Sequence, residues 1–279
     1  MIDIDALSGA RALLFVPGLR AERFEKAFSS GADAVILDLE DSVALDAKAA
    51  AREAILGSHA ALSRAVVPVL VRINSPATEQ GRADLEWLGS LPVSVGVMLP
   101  KAESAADVAA VRGRFSDAPV VPIIESAAGY AAVREIAASA GVVRLAVGHI
   151  DFMVDTGITC SSEEPELAPL RYAVAMATRL HGLAPAIDGV TTALDDESKL
   201  IADAQRAARF GFGGKLCIHP RQVALVQKTF TPAEEEVQWA RRVVAADQAA
   251  GGAATQVDGR MVDVPVVLQA RRILARARN

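Results

Sequence analysis

Eight short apolar runs recur along the chain, and each is rich in β-branched residues. They span residues 11–18, 32–41, 67–75, 94–101, 120–126, 143–152, 184–190 and 213–220. The runs are nearly continuous in apolar residues rather than alternating, which is typical of parallel strands covered on both faces. Amphipathic, alanine-rich segments separate most of the runs, and Gly31 and Gly211 follow two of these segments where a helix would end.

This alternation of strands and helices predicts right-handed β-α-β units and therefore an α/β protein. Eight units of about thirty residues each predict a (β/α)8 TIM barrel, which we place over residues 1–230. An open, doubly wound sheet is the alternative fold. It is disfavoured because the glycine-rich GxGxxG turn expected after its first strand is missing.

Residues 231–279 form a C-terminal helical extension beyond the complete barrel. Thr231 and Glu234 predict a helix that starts with a capping box and has Pro232 at its first position. The glycine-containing stretch 251–265 suits a small hairpin, and a last helix follows it. The extension is expected to act as packing, as a lid or as an arm that contacts a neighbouring subunit, and the sequence leaves these roles open.

Composition excludes several classes of protein. The formal charge of −5 and the lack of a basic run argue against a nucleic-acid surface. No apolar run approaches the length of a membrane span. Cys160 and Cys217 cannot form a disulfide framework, and the N-terminal residues lack the features of a signal peptide. We therefore expect a cytoplasmic protein.

Charged or ionisable side chains follow seven of the eight predicted strands. In barrels of this kind the catalytic groups lie at the carboxyl ends of the strands. A barrel that needed only stability would not place such residues so consistently at one end, so the pattern predicts an enzyme. The side chains belong to Asp38, Glu40, Asp41, Arg72, Lys101, Glu125, His149, Asp151, Asp188 and His219.

Glu125 and Asp151 follow adjacent strands and are the predicted metal ligands. Mg²⁺ takes only one or two protein carboxylates and keeps water and substrate oxygens in its other positions. Such an ion can chelate a 2-oxo or 2-hydroxy acid and stabilise an enolate. The alternative is that the two acids cap helices or form salt bridges in loops.

Arg72 and Lys101 are predicted to bind substrate. The planar guanidinium of Arg72 suits a substrate carboxylate, and an ion pair with Asp38 or Glu40 is an alternative that can hold at the same time. Lys101 suits a Schiff base in principle. Its position after a proline and before a helix start favours a charge partner near the site or a salt bridge at the helix entry.

The first strand leads into a turn and a helix start that carry Arg20, Arg23 and Lys26. A glycine-bearing turn, a helix N-terminus and basic side chains suit a phosphate or nucleotide anchor, with a solvated helix face as the alternative. The four histidines lack the spacing of a zinc site, and we interpret His149 and His219 as structural imidazoles.

Eight segments together resemble one family. They are RALLFVPGLRAERFEKA, GADAVILDLEDSV, VRINSP, MLPKAES, PIIESAAG, GHIDF, IDGV and GFGGKLCIHP. They follow one another in the order seen in citrate lyase beta subunit-like proteins of the HpcH/HpaI aldolase superfamily. The resemblance covers residues 10–270. It implies a (β/α)8 barrel, usually a homotrimer, that binds Mg²⁺ and cleaves or forms a C–C bond in a hydroxy acid, often as a coenzyme A (CoA) thioester.

The resemblance assigns roles to residues of this chain. It implies that Glu125 and Asp151 are the metal ligands, that Arg72 binds substrate and that Asp263, in DGRMVDVP, serves acid/base chemistry from a lid. It also implies that the acids of the LDLED segment line the cavity. The segment usually written GAEDL is GHIDF here, so Ile150 stands where an acid is usual. That departure leaves the recognised acyl group open.

These inferences predict a Mg²⁺-dependent lyase of the aldol or Claisen type that acts on a hydroxyacyl-CoA such as citramalyl-CoA or malyl-CoA. The predicted catalytic residues are Arg72, Asp263, Glu40 and Asp41, and the predicted binding residues are Arg72, Arg20, Asp38 and Lys101. The alternatives are thioester hydrolysis, a malate-synthase-like condensation and a citrate lyase beta-type subunit that needs an acyl carrier protein. The expected partners are a small-molecule substrate and further copies of the chain, with no nucleic acid or membrane.

Overall fold

A computed structural model gives the fold of the protein and describes residues 2–277. The chain divides into two compact units, Met1–Gln227 and Lys228–Asn279. None of the described helices is both long and apolar enough to cross a membrane.

The first unit is a closed barrel of eight parallel strands, in which each strand pairs with the next along the chain and the eighth pairs with the first. The predicted fold is therefore confirmed, and each strand lies within the apolar run that predicted it. The strands are β1 (Ala12–Pro17), β2 (Ala34–Asp38), β3 (Val69–Arg72), β4 (Gly96–Leu99), β5 (Val120–Ile124), β6 (Ala146–Val147), β7 (Ile187–Asp188) and β8 (Gly214–Cys217).

One helix precedes the first strand, and the others follow the strands and cover the outside of the sheet, as β-α-β units require. They are α1 (Ile4–Gly9), α2 (Phe24–Phe28), α3 (Lys48–Gly57), α4 (His59–Arg64), α5 (Glu79–Leu88), α6 (Ala105–Arg114), α7 (Ala127–Ala138), α8 (His149–Thr156), α9 (Ala168–Leu180), α10 (Glu197–Arg209) and α11 (Pro220–Phe230). Gly31 and Gly211 adopt left-handed φ values of +84° and +85° in the turns after α2 and α10, as predicted.

Buried apolar side chains from all eight strands fill the barrel. They include Leu13, Ala34, Ile36, Leu70, Met98, Val121, Ile123, Ala146, Ile187 and Leu216, and each is at most 3% exposed. Parallel strands are buried on both faces, which is why the sequence shows continuous rather than alternating apolar runs. The polar residues at the carboxyl ends of the strands lie directly above this packed interior.

The second unit consists of α12 (Glu234–Ala249), an antiparallel hairpin and α13 (Val264–Ala277). The hairpin strands are β9 (Thr255–Val257) and β10 (Arg260–Val262), so the predicted hairpin is present. A separate apolar cluster holds this unit together, and its buried members are Ala240, Val243, Val262, Val267 and Ala270.

The predicted start of α12 is wrong by two residues. The capping box from Thr231 to Glu234 does not form the helix start, because the helix begins at Glu234. Ala233 is the N-cap, and its amide donates to the Glu236 carboxylate at 3.0 Å. Three consecutive glutamates in the first turn favour this start, since negative charge is stabilised at the positive end of the helix dipole.

Candidate active site

A cavity of about 450 Å³ opens at the carboxyl ends of the barrel strands. One part of its wall is acidic, and the part formed by β1, β7 and β8 is mainly apolar. The lining residues are Phe15, Pro17, Asp38, Asp41, Ser42, Arg72, Ile123, Glu125, Val147, Gly148, His149, Ile150, Asp151, Val190, Leu216 and Ile218. The cavity therefore brings together five of the predicted site residues: Asp38, Asp41, Arg72, Glu125 and Asp151.

Arg72 is held by three carboxylates and an aromatic ring. Its Nε and Nη2 donate to the two oxygens of Asp38 at 2.6 and 2.7 Å, and its Nη1 lies 2.9 Å from Glu40 and 3.4 Å from Asp41. The guanidinium lies 4.8 Å over the ring of Phe15. The hydrogen bonds to Asp38 and Asp41 use three of the five N–H donors, and one N–H remains on each of Nη1 and Nη2.

Arg72 keeps the carboxyl of Asp38 in its charged form. Burial alone would raise the pKa of this carboxyl, but the hydrogen bonds and charge of Arg72 outweigh burial and hold the pKa below its usual value. The amides of Glu40 and Ser42 also donate to Asp38, at 2.9 and 3.1 Å. The predicted pairing of Asp38 with Arg72 is confirmed, and it orders the loop that follows β2.

Glu125 directly follows β5 and is 4% exposed. Its Oε1 accepts the backbone N–H of Lys101 at 2.7 Å. Burial, with the negative charges of Glu40 and Asp151 added, raises the pKa of this carboxyl to about 8. A Cβ on Gly148 would lie 2.1 Å from Oε2 of Glu125, so only glycine at this position leaves room for the carboxylate.

Lys101 links two of the acids. Its backbone is left-handed, with φ of +47°, which is uncommon for a residue other than glycine. In this conformation the amide reaches Glu125 while the ammonium donates to Glu40 at 2.6 Å. Burial raises the pKa of Glu40 despite its two cationic neighbours. The expected charge partner of Lys101 is therefore Glu40.

Asp151 lies in the first turn of α8, which starts only one residue after β6. The helix N-terminus therefore opens into the cavity, and no side chain caps it. The first amides of a helix have no acceptor within the helix, and the dipole favours negative charge there. This end of the cavity suits a carboxylate or another anionic oxygen.

The donor set fits a hard divalent cation. Glu125 and Asp151 line one cavity, and their mutual repulsion is one of the causes that raise the Glu125 pKa. Within residues 2–277, no group of three or more histidine, cysteine, aspartate or glutamate side chains is arranged to hold a metal ion. Two carboxylates with open positions match Mg²⁺, whereas a structural zinc site needs four protein ligands.

A second buried charge network lies at the end of β7 and was missed in the sequence. Arg171 pairs with Asp188 at 3.0 Å and with Glu164 at 2.8 Å, and Glu164 also pairs with Arg206 and Lys199. Glu164 has a left-handed φ of +51°, so its position was not readable from spacing. Asp188, which looked like a site residue, is fully buried in this network and does not line the cavity.

Arg20 and Asp263 complete the predicted set. The exposed Arg20 pairs with Glu22 two residues away and is not among the described residues that line the cavity. The predicted helix there is a 3-10 turn over Ala21–Arg23 followed by the short α2. Asp263 belongs to the second unit, where its Oδ1 accepts the Val266 amide at 3.4 Å. The ligand role of Arg20 and the catalytic role of Asp263 stay predictions.

The order of motifs and the barrel geometry agree with a comparison against protein families. The model of the HpcH/HpaI aldolase/citrate lyase family matches residues 11–220. The chain belongs to this family. A second model, described as a carbon–carbon bond lyase of the TIM-barrel fold, matches residues 169–279. The predicted family and enzyme class, a C–C bond lyase, are therefore confirmed.

Individual members of the HpcH/HpaI family are similar along nearly the whole chain. A (3S)-malyl-CoA thioesterase of Cereibacter sphaeroides is 34% identical over 96% of this chain and 94% of the relative. A citrate lyase subunit beta-like protein of Mycobacterium tuberculosis is 38% identical over 95% and 94%. The crystal structure of CitE from M. tuberculosis with magnesium, acetoacetate and coenzyme A has a TM-score of 0.83 and 36% identity, covering 98% of this chain and 100% of that one.

Proposed function

We propose that this protein is a Mg²⁺-dependent lyase that cleaves a hydroxyacyl-CoA thioester, such as malyl-CoA or citramalyl-CoA, into a 2-oxo acid and acetyl-CoA. The observation that carries the proposal is the pair Glu125 and Asp151 in one cavity with Arg72. The magnesium, acetoacetate and coenzyme A bound by the similar CitE support this class of substrate.

Glu125 and Asp151 would hold the Mg²⁺. When bound, the ion supplies Lewis acidity that polarises the oxygens of the 2-oxo acid portion. The remaining N–H on Nη2 of Arg72 and the first amides of α8 bind the substrate carboxylate. Asp38 positions Arg72 for this contact, while Glu40 and Asp41 hold water and the loop after β2.

The reaction moves one proton off the substrate and one back. A base takes the proton of the substrate hydroxyl, the C–C bond breaks, and its electron pair forms the enolate of acetyl-CoA. An acid then protonates the enolate carbon. We assign this proton transfer to Asp263 from the second unit. The apolar residues Phe15, Val190 and Leu216 exclude water from the side of the cavity that they line.

A panel of thioesters tests the proposal. Malyl-, citramalyl- and citryl-CoA are incubated with the protein and Mg²⁺, and 2-oxo acid release is followed. We expect Mg²⁺-dependent release from at least one thioester, abolished by Glu125→Gln and unchanged by Glu86→Gln on the surface. Lack of release from all three, or full turnover by Glu125→Gln, would refute the proposal.

Thioester hydrolysis is a second candidate, favoured by the similarity to (3S)-malyl-CoA thioesterases. Free thiol measured beside the 2-oxo acid separates the two, because lysis keeps CoA acylated whereas hydrolysis releases it. The Escherichia coli citrate lyase subunit beta is 34% identical over 96% of this chain. It leaves dependence on an acyl carrier protein as a third possibility, which predicts activity only with an acylated carrier.

The remaining parts of the proposal concern delivery and assembly. Arg20, on the exposed turn after β1, is assigned to the phosphates of CoA, and Lys101 to the charge balance around the bound acid. We also propose a cytoplasmic homotrimer. Light scattering coupled to size-exclusion chromatography tests the trimer directly, and an Arg20→Ala variant should raise KM for the CoA thioester while leaving Mg²⁺ affinity unchanged.

A further inference from the structure

His149 occupies an unusual place in the cavity. It is the first residue of α8, two residues before Asp151, and its imidazole lines the same cavity as Glu125. The residue is only 8% exposed. The sequence suggested a structural histidine, a role that would require its ring nitrogens to be satisfied by protein groups.

The ring nitrogens of His149 are not satisfied in that way. Nδ1 is buried and has no hydrogen-bond partner, and no hydrogen bond joins the ring to another described residue. Nε2 is not among the buried atoms that lack a partner and it makes no hydrogen bond to another described residue, so it is the accessible nitrogen of the ring. A neighbouring glycine leaves the space that the imidazole ring occupies.

Gly189, after β7, leaves the space that the ring fills. A Cβ on Gly189 would lie 2.2 Å from Nδ1 and 2.9 Å from Cε1 of His149. The Nδ1–Cε1 edge is therefore packed against the glycine, and Nε2 and Cδ2 form the opposite edge. Gly148 leaves space for Glu125 in the same way. Two neighbouring strand ends thus lack side chains where a carboxylate and an imidazole enter the cavity.

Few other polar side chains line the side of the cavity on which His149 lies. Among the described residues that line the cavity from β6 to β8, only His149 and Asp151 carry polar side chains. The others on this side are apolar or glycine, and Ile150, Val190 and Ile218 are examples. An oxygen of the substrate on this side has His149 as its side-chain hydrogen-bond partner beyond the metal ligands.

We propose that His149 contacts the substrate through Nε2, by a hydrogen bond to an oxygen of the 2-oxo or hydroxy acid portion, and thereby determines which acid is accepted. This inference rests on the proposed function, since it takes the substrate to lie at Glu125 and Asp151. It adds a residue that determines substrate specificity by contacting the acid portion of the substrate beside the metal.

Calorimetry with and without Mg²⁺ tests this contact, using glyoxylate, pyruvate and oxaloacetate as probes. In His149→Ala we expect the affinity for the preferred 2-oxo acid to fall about fivefold or more, the effect of losing one hydrogen bond. Mg²⁺ affinity without the acid should stay within twofold. His149→Gln, which keeps a donor, should recover part of the loss. His59→Ala on the exposed surface is the control and should bind as the wild type does.

A double-mutant cycle with Gly189→Ala separates this contact from general disruption. The alanine Cβ should displace His149 and weaken acid binding in the wild-type background, but add much less to His149→Ala. Unchanged acid affinity in His149→Ala, or an equal loss of Mg²⁺ affinity, would overturn the inference alone. If the wild type bound Mg²⁺ but none of the three acids, and released none from the thioesters, the proposed function would fail as well.

Discussion

Arg72 and Asp38 are register partners on β3 and β2, and two parallel hydrogen bonds of 2.6 and 2.7 Å join their side chains. The Asp38 side chain is 2% exposed and that of Arg72 is 12% exposed. The charge of each therefore depends on the other, and this pair anchors the acidic part of the candidate site.

Removing Arg72 should destabilise the protein strongly. Arg72→Met leaves Asp38 as an uncompensated buried charge, and we expect a loss of about 3–5 kcal/mol in the free energy of unfolding. Urea denaturation measures it. Arg64→Met is the control, because Arg64 pairs with Glu25 at 3.1 Å while both side chains are exposed. That change should cost about 1 kcal/mol or less, and equal losses in the two variants would contradict the argument.

Mg²⁺ binding should distinguish the proposed metal ligands from the nearby acid Asp41. Glu125→Gln and Asp151→Asn should each eliminate Mg²⁺ binding in calorimetry, since each removes one of two protein carboxylates. Asp41→Asn should only weaken it, because Asp41 is largely exposed and contacts Arg72 at 3.4 Å. Wild-type Mg²⁺ affinity in Asp151→Asn would remove Asp151 from the ligand set.

Gly148→Ala should remove Mg²⁺ binding without changing any ligand. The new methyl would lie 2.1 Å from Oε2 of Glu125 and push the carboxylate out of position. Gly113→Ala is the matched control, because a Cβ there meets nothing within 4 Å and the residue lies in α6. The control should bind Mg²⁺ normally and gain up to about 1 kcal/mol in stability. Normal binding by both variants would show that Glu125 is not held as described.

The high pKa of Glu125 makes Mg²⁺ binding depend on pH. Because burial and the charge of Glu40 raise this pKa to about 8, the carboxyl of the metal-free protein is mostly protonated at pH 6. Mg²⁺ needs the ionised form, so its apparent affinity should rise up to about tenfold per pH unit below pH 8 and level off above it.

The stability of the metal-free protein should also depend on pH through the carboxyl of Glu125. Its pKa is higher in the folded state than in the unfolded state, where it is near 4.5. The folded state therefore holds more protons, and the metal-free protein loses stability as pH rises from about 4.5 to about 8. The increase in Tm caused by Mg²⁺ should be larger at pH 8.5 than at pH 6. An increase independent of pH would contradict the assignment.

The barrel could be predicted because its strands are buried on both faces. Continuous apolar runs such as Val35–Leu37 carry that burial in the sequence itself. Helix starts carried less information. Thr231 and Glu234 match a capping box, yet the helix begins where three glutamates occupy its first turn.

Contacts within the candidate site were predictable where they depend on the position of a residue along a strand. Asp38 and Arg72 end adjacent strands in register, so their pairing followed from the order of strands. The network around Arg171 was not predictable, because Glu164 reaches it through a left-handed turn. The unpartnered Nδ1 of His149 likewise depends on its three-dimensional packing against Gly189, which no local spacing encodes.

Because its backbone is left-handed, Lys101 in the loop after β4 contacts two carboxylates at once. Its amide holds Glu125 and its ammonium holds Glu40, so one rotation of this residue would release both together. A ligand that moved Lys101 would displace, in one event, Glu125 and one of the three carboxylates around Arg72. If Glu125 holds the metal and Arg72 binds the substrate as proposed, we expect metal binding and the position of Arg72 to be coupled through Lys101.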